Sequence, residues 1–411
     1  VQEQIVSGGI TKTTGFTIDP ANGNILEIID PLGSKEIFTY DSFGNALTFT
    51  DKNNQLTTYA YDVNGNYRAE EKTTVSGADG LDQVILKKFK YDVYGNVIEL
   101  TTPRGNIFSY EYDTRGNKRK ETNPQSGVKI YSYDLEDNLI SETDELGRVT
   151  TSVYDKNIPA SLISVTRADN GESITIQRTY DLVGNLLIET DPLGRTIKYQ
   201  YDKANRLAEK QTPFNIFTYA YDPAGNPLSE TDSAGRKTAY FYNSRREPIE
   251  VRRYLDSTNY VGESQVYDGL SRIVSKVDGN GNATSFEYDL AGRLTKKTDS
   301  LSGVTTYFYD KTGNKIGELN PRAQDDGSLR NAGGKSNSSV YDGKNRLLKS
   351  TNATDKVSLY FYDADGNSVK TIDRQDSNGG NATRVARTQY DSLGRKTIET
   401  DSLGATTKTD Y

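Results

Sequence analysis

A dipeptide, Tyr-Asp, returns along the chain at a nearly fixed interval, and that interval constrains the fold more than any other feature. The marker tyrosines are Tyr40, Tyr61, Tyr91, Tyr112, Tyr133, Tyr154, Tyr180, Tyr201, Tyr221, Tyr242, Tyr267, Tyr288, Tyr309, Tyr341, Tyr362 and Tyr390. Ten of the fifteen intervals between them are 20 or 21 residues, and the other five are longer. A fixed period near twenty marks a repeat array, in which each unit buries its face on its neighbours rather than in a core of its own.

The stretch from Tyr180 to Tyr201 shows what one unit builds. It opens on a Tyr-Asp-x-x-Gly-Asn turn, runs five residues, turns again at Thr-Asp-x-x-Gly-Arg, and runs to the next Tyr-Asp. The runs alternate: Ile197, Tyr199 and Tyr201 fall on one face, with Thr196, Lys198 and Gln200 on the other. Period two with β-branched and aromatic residues is the strand signature. In each Asp-x-x-Gly turn the carboxylate is placed to accept backbone N–H bonds two residues on, and the glycine supplies positive φ. Two strands and two tight turns leave no room for a helix, so the unit reads as a β-hairpin and the array as a continuous antiparallel sheet.

Four residues after the marker, ten units carry glycine: Gly44, Gly65, Gly95, Gly116, Gly184, Gly225, Gly292, Gly313, Gly366 and Gly394. Three more carry Asp137, Asn205 or Asn345, residues that tolerate the left-handed region. Ser271, Arg246 and Ile158 break the rule, and altered turns are expected there. In eleven units a second aromatic lies two positions before the marker, as in Tyr199/Tyr201. Residues i and i+2 share a face, so successive units are expected to stack aromatic columns across the sheet. Tyrosine in place of phenylalanine implies a half-buried column with hydroxyls reaching water or backbone.

These residues resemble a known family. The Tyr-Asp-x-x-Gly-Asn/Arg pattern and its Thr-Asp-x-x-Gly companion are similar to the YD repeats of Rhs proteins, which also occur in the B–C components of insecticidal toxin complexes and in teneurins. The resemblance covers residues 15–411, leaving 1–14 as the end of a preceding repeat or a linker. It implies an all-β fold, a β-hairpin array whose sheet spirals into a hollow shell or tube. It further implies that bacterial members enclose a C-terminal toxin, whereas animal members use the shell in cell-surface adhesion. The self-cleaving aspartyl site that some family shells carry beyond the repeats is not recognisable, nor is a toxin domain.

Composition narrows the chemistry. Apolar residues make up 34% of the chain, while tyrosine reaches 29 copies, a balance that suits one sheet layer with a wet face. At 411 residues a generic count would be two or three domains, but the uninterrupted period favours one solenoid-like body. The net charge of −7 comes from intermingled acids and bases, so no basic stripe points to nucleic acid. No apolar run approaches the roughly 18 residues of a membrane-spanning helix. Cysteine, histidine, methionine and tryptophan are absent, which removes disulfides, Ser-His and Cys-His catalysis, and thiolate or imidazole metal ligands. No catalytic residue, cofactor site or metal site is expected. Val1 and Tyr411 both fall inside the repeat pattern, and the chain is expected to be cut from a longer array.

The five long intervals carry polar, Gly-rich insertions, including the stretches around Gly77–Gly80, Ala168–Gly171 and Asp256–Asn259, which should lengthen hairpins and protrude from one rim or face of the sheet. Asp278 to Asp289 loosely follows calcium-loop spacing, but Ala283 stands where that loop needs glycine, so two adjacent turns are expected. Gly333-Gly334-Lys335-Ser336 resembles the end of a phosphate loop, yet Leu329 occupies the first glycine position. Asn282, Asn337, Asn352 and Asn381 head glycosylation-type triplets of a kind that Asn- and Thr-rich chains produce by chance.

The first reading is structural: part of a secreted or surface bacterial YD-repeat shell that encloses a polypeptide cargo, the C-terminal part of the same parent chain. The alternative is an extracellular adhesion or filament module that binds glycans or partner cells through its outer face and long loops. An enzyme is disfavoured, because no nucleophile–base pair can be assembled without histidine or cysteine.

Overall fold

The computed structural model describes every residue except 8, 159, 170–171, 322–333 and 375–383. Among the described residues, 36 strands belong to one sheet. No described helix is long and apolar enough to cross a membrane. The strands pair antiparallel with their sequence neighbours, as in Leu186–Thr190 with Thr196–Tyr201, and Thr196–Tyr201 with Leu207–Gln211.

The alternation read from the sequence is the alternation of burial. In Thr196–Tyr201, Ile197, Tyr199 and Tyr201 are half-buried while Lys198 and Gln200 are exposed. Full burial is rare: Val75, Ala239 and Val357 are the buried hydrophobic residues among those described. A one-layer ribbon has no interior, so ladder and turn hydrogen bonds carry much of what a packed core supplies elsewhere.

The chain divides into two compact units. The first comprises Val1–Ser109, Tyr267–Val274 and Thr284–Tyr411, and the second Tyr110–Val266 and Ser275–Ala283. Residues 1–14, which carry no motif, form strand Gln2–Ser7 and the start of strand Ile10–Ile18.

Strands that end in a marker tyrosine carry a β-bulge where they meet the next strand. Thr179 faces Ile188 and Tyr180 faces Leu186, so Leu187 is skipped. The same shift recurs at Gln200/Tyr201 and Phe361/Tyr362. A bulge disturbs the ladder locally, and the repeat has a device for that point. The Tyr201 hydroxyl donates to the Leu186 carbonyl at 3.0 Å, Tyr61 to Ala46 at 2.9 Å, and Tyr362 to Leu347 at 3.0 Å. Phenylalanine would leave that carbonyl without this donor.

Among the described residues the expected columns of rings from successive units are not found; the rings pair locally, as Phe38 with Phe49 and Tyr67 with Tyr91. Successive marker strands are separated by an intervening strand, about 9–10 Å from one marker strand to the next, beyond the reach of ring pairing. The residue opposite the second aromatic is frequently charged: Tyr199 faces Lys210, Tyr131 faces Glu142 and Tyr307 faces Glu318. The column therefore alternates ring and charged stem. Lys118 lies between two rings, its Nζ 5.4 Å from the Tyr110 centroid and 5.2 Å from that of Tyr131.

Candidate functional site: the two turn edges

Each described hairpin ends at one of two edges, a Tyr-Asp edge and a Thr-Asp edge, and most of the turns at both use one local geometry. In the turn 181–185, Asp181 Oδ1 accepts from the N–H groups of Val183 and Asn185 at 3.0 and 2.8 Å, and Oδ2 accepts from the Asn185 amide at 2.8 Å. The Gly184 N–H closes onto the Asp181 carbonyl, with φ at +92°. In the turn 191–195, Asp191 receives Leu193, Arg195 and the Arg195 guanidinium in the same way. These bonds favour the ionised carboxylate. The Asn185 amide holds Asp181 below the ordinary carboxyl range, and Arg206 does the same for Asp202.

Two of the three expected turn departures are absent. Arg246 and Ser271 adopt positive φ, 64° and 62°, and close onto Asn243 and Asp268 as glycine does. The turn's hydrogen bonds hold a side chain in the left-handed region there, at a cost of roughly 1–2 kcal/mol. Ile158 lies in a wider turn, in which Asp155 N–H reaches the Ser161 carbonyl.

The sixth residue of the Tyr-Asp turn, counted from the tyrosine, couples each repeat to the next. Where it is asparagine, it bonds its own aspartate and can reach the next turn, as Asn45 does to the Gly65 carbonyl at 2.8 Å. Where it is arginine, the reach is longer. Arg206 Nε bonds Asp202, its Nη1 donates to the Asp222 carbonyl at 2.9 Å, and its guanidinium lies 4.7 Å from the Tyr221 ring centroid. Arg272, Arg293 and Arg346 repeat this on Tyr288, Tyr309 and Tyr362. Sequence reading noted the Asn/Arg alternation but missed this role. The available signal was an arginine at the turn's end, directly before an Ile or Leu and one repeat ahead of a tyrosine.

Within the first unit the ribbon also meets itself edge to edge. Thr-Asp turns of early repeats lie against Tyr-Asp turns of late ones. Asn53 Nδ2 donates to Asp310 Oδ2 and Thr312 Oγ1 at 3.1 and 2.8 Å. Gln83 bridges the Tyr362 carbonyl and the Arg346 guanidinium. Asp365 receives the Thr102 hydroxyl, the Arg104 N–H and the Asn106 amide at 3.2, 3.0 and 3.3 Å. Arg104 then reaches the Asp363 carboxylate at 3.3 Å and the carbonyls of Asp391 and Tyr390 at 3.2 and 3.3 Å. At Gly343 the approach is so close that a Cβ would collide with the Gln55 side chain. Burial works to raise the Asp310 carboxyl, but hydrogen bonds from Asn314, Thr312 and Asn53 outweigh it and hold it low.

This seam leaves a cavity of about 520 Å³ whose lining includes Ile85, Leu100, Pro103, Phe108, Lys344 and Leu393. A polar trough of about 640 Å³ lies on strands of the same unit, lined by Asn337, Ser339, Ser350, Asn352, Arg374 and Arg384 among others.

The marker tyrosines and glycines thus sit at the Tyr-Asp edge, with tyrosines such as Tyr61, Tyr201 and Tyr362 bonding the carbonyl at a bulge and the glycines closing turns. Among the described residues, no three acidic side chains gather as a metal site. Asp278 and Asp289 each cap their own turns. Ser336 is buried, and its Oγ accepts the Asn320 N–H; Gly333 and Asn381 lie outside the described residues. The long hairpins Arg68–Ser76/Asp82–Tyr91, Leu162–Asp169/Glu172–Tyr180 and Pro248–Tyr254/Tyr260–Tyr267 all extend the Thr-Asp edge.

No curated protein sequence matches the chain. Among solved structures, a crystal structure of TcdB2-TccC3-TEV matches at TM-score 0.78 and 16% identity over 94% of this chain and 23% of that one. A second, of TcdB2-TccC3, matches at 0.77 with the same identity and coverage. The Photorhabdus luminescens Tc holotoxin pore carrying TccC3-D651A matches at 0.75 and 15% identity, over 95% of this chain and 24% of that one. The chain thus spans about a quarter of the solved chains it matches, and at this identity the likeness establishes the fold. The RHS repeat profile matches residues 267–302, and the Teneurin YD-shell profile matches 11–195 and 80–282, more than half of the chain. The chain belongs to the teneurin YD-shell family.

Proposed function

We propose that this chain is a wall segment of a secreted YD shell that encloses a polypeptide cargo. The observation that carries the reading is the edge-to-edge seam of the first unit. A ribbon whose Thr-Asp turns lock onto Tyr-Asp turns some 260 residues later, as Arg104 does onto Asp365, is built to make a continuous surface one strand layer thick. The scarcity of buried hydrophobic residues fits a wall better than a filled globule. Likeness to structures of a toxin complex supports polypeptide cargo and an extracellular setting. No catalysis is assigned to the chain: described aspartates such as Asp181 and Asp191 are engaged in capping turns, and it has no histidine or cysteine.

Cryo-electron microscopy of the full gene product tests this reading. Polypeptide density enclosed by the ribbon, protected from added protease until the wall is denatured, is the expected result. An empty interior, or cargo digested at the rate of a free chain, would overturn it.

A second reading, adhesion through a bound glycan, draws on the polar trough around Ser339, Ser350 and Asn352. Glycan-array binding abolished by Ser350→Trp would favour it over the first.

A further inference from the structure

We propose that the polar trough of the first unit binds a carboxylated oligosaccharide, with sugar hydroxyls on a line of serines and the carboxylate on flanking cations. The proposal rests on the glycan reading above and names the kind of glycan.

Ser339, Ser350 and Ser358 face one another in register across three neighbouring strands, and the line runs on to Asp373 and Arg384. Residues paired in this way share one face of the sheet. Equivalent lines carry rings or long side chains in early, middle and late repeats alike. Examples are Phe89–Leu100–Phe108, Tyr199–Lys210–Phe217 and Phe286–Lys297–Thr305. Ser339 stands two positions before the marker Tyr341, where eleven other units place an aromatic.

Three serines in a row take away the side-chain volume that covers the sheet elsewhere. The trough of about 640 Å³ lies where that volume is missing. With strands roughly 4.8 Å apart, the five-residue line extends about 19 Å, which suits a short chain of sugars better than a small ion.

The lining selects the chemistry of the ligand. Serine hydroxyls both donate and accept, and the Asn337 carboxamide adds both capacities at one end of the trough. The floor's backbone groups are committed to the sheet ladder, so no cluster of free N–H groups is offered to a phosphate. Side chains make the contacts, and a surface of hydroxyls matches a ligand of hydroxyls.

Charge supplies the second criterion. Lys356, Arg374 and Arg384 line the trough against one carboxylate, Asp373, which accepts the Ser358 hydroxyl. Among the described residues none of these three cations is ion-paired. By contrast, Arg346 and Arg395 of the same unit are held by Asp342 and Asp391 at 2.6 and 2.7 Å. An excess of cations without internal partners calls for an anionic group on the ligand, and guanidinium matches carboxylate in a two-pronged geometry.

Isothermal titration calorimetry of the 411-residue chain with trigalacturonate, sialyllactose, maltotriose and inorganic sulfate tests the proposal. At least one of the two carboxylated sugars should bind more tightly than maltotriose or sulfate, and its affinity should fall with added salt. Arg384→Gln, at an exposed position, should weaken that binding about tenfold. Ser339→Tyr restores the ring that other units carry, so circular dichroism should be unchanged while binding is lost. Should that variant perturb folding, Arg384→Gln carries the comparison alone.

Maltotriose bound as tightly as the acidic sugars, with Arg384→Gln without effect, would overturn the inference and leave the glycan reading standing. Sulfate bound as tightly as the sugars would overturn it too, as would a folded Ser339→Tyr chain that binds like wild type. If no saccharide binds at millimolar concentration the inference fails, and the Ser350→Trp comparison on a glycan array then decides the broader reading.

Discussion

Arg104 and Asp365 stand 261 residues apart in sequence, and the backbone N–H of Arg104 donates to Asp365 Oδ1 at 3.0 Å. Around this bond Thr102 and Asn106 add two more donors to the same carboxylate, and the Arg104 guanidinium grips Asp363 and two carbonyls beyond it. Arg104→Ala keeps the backbone bond and the Thr102 and Asn106 donors and removes the guanidinium contacts, at a cost of about 1–2 kcal/mol. Amide exchange should quicken at residues 363–367 and 390–394, with protection around Tyr199–Tyr221 unchanged. Equal protection at the seam before and after substitution would show that the guanidinium contributes nothing there.

Thr102 occupies the position that holds aspartate in most repeats, and it faces Asp365. Thr102→Asp restores the consensus turn but sets two carboxylates against each other. The seam should weaken at neutral pH and recover with added salt, because a like-charge contact is screened. Melting curves at low and high ionic strength measure this.

Gly343 marks the closest approach across the seam. Gly343→Ala places a methyl group against Gln55, and a loss of about 1–3 kcal/mol is expected from overpacking. Gln55→Ala in the same chain should recover part of that loss, which a double-mutant cycle by denaturant unfolding would quantify.

The marker hydroxyl has its own test. Tyr201→Phe leaves the Leu186 carbonyl without its donor and should cost about 1 kcal/mol. Replacing Tyr199 and Tyr201 together with alanine should open the array locally and raise protease sensitivity over residues 180–221. Unchanged proteolysis would mean that these tyrosines do not hold the hairpins together.

Acid should loosen the turns. The capping carboxylates of Asp181, Asp202, Asp222 and Asp310 are held below their ordinary value in the folded chain. Their contribution is complete above the unfolded pKa of about 3.9 and fades as pH falls through the lower folded values. Tyr201 and Tyr362 shift the other way, raised by burial. Their contribution is whole below about pH 10 and declines as pH climbs through the raised folded values. Thermal melts should therefore be flat across neutral pH and fall off at both extremes.

Hairpins, turns and strand faces were legible because each is written within about twenty residues. The Asp181 cap needs only residues 181–185, and the Thr196–Tyr201 faces need only alternation. Ser271 and Arg246 misled because residue type was weighed without the hydrogen bonds their N–H groups donate to the Asp268 and Asn243 carbonyls, which hold the left-handed conformation. The aromatic columns misled because i and i+2 define a face but not what stands on the neighbouring strand, where Lys210 and Glu142 intervene. The seam was out of reach for a different reason. Nothing local joins Arg104 to Asp365, although Thr102 in place of aspartate was a visible departure whose partner only the fold reveals.

The near absence of a buried core has a mechanical consequence. With neighbour-only cohesion, no single event commits the whole ribbon to unravel. Pulled from its ends, it should yield hairpin by hairpin, each 21-residue unit releasing roughly 70 Å of extended chain. The seam adds a tether across that ladder, so the extension trace should show one larger step where distant turns part. A ribbon made this way tears locally and holds elsewhere.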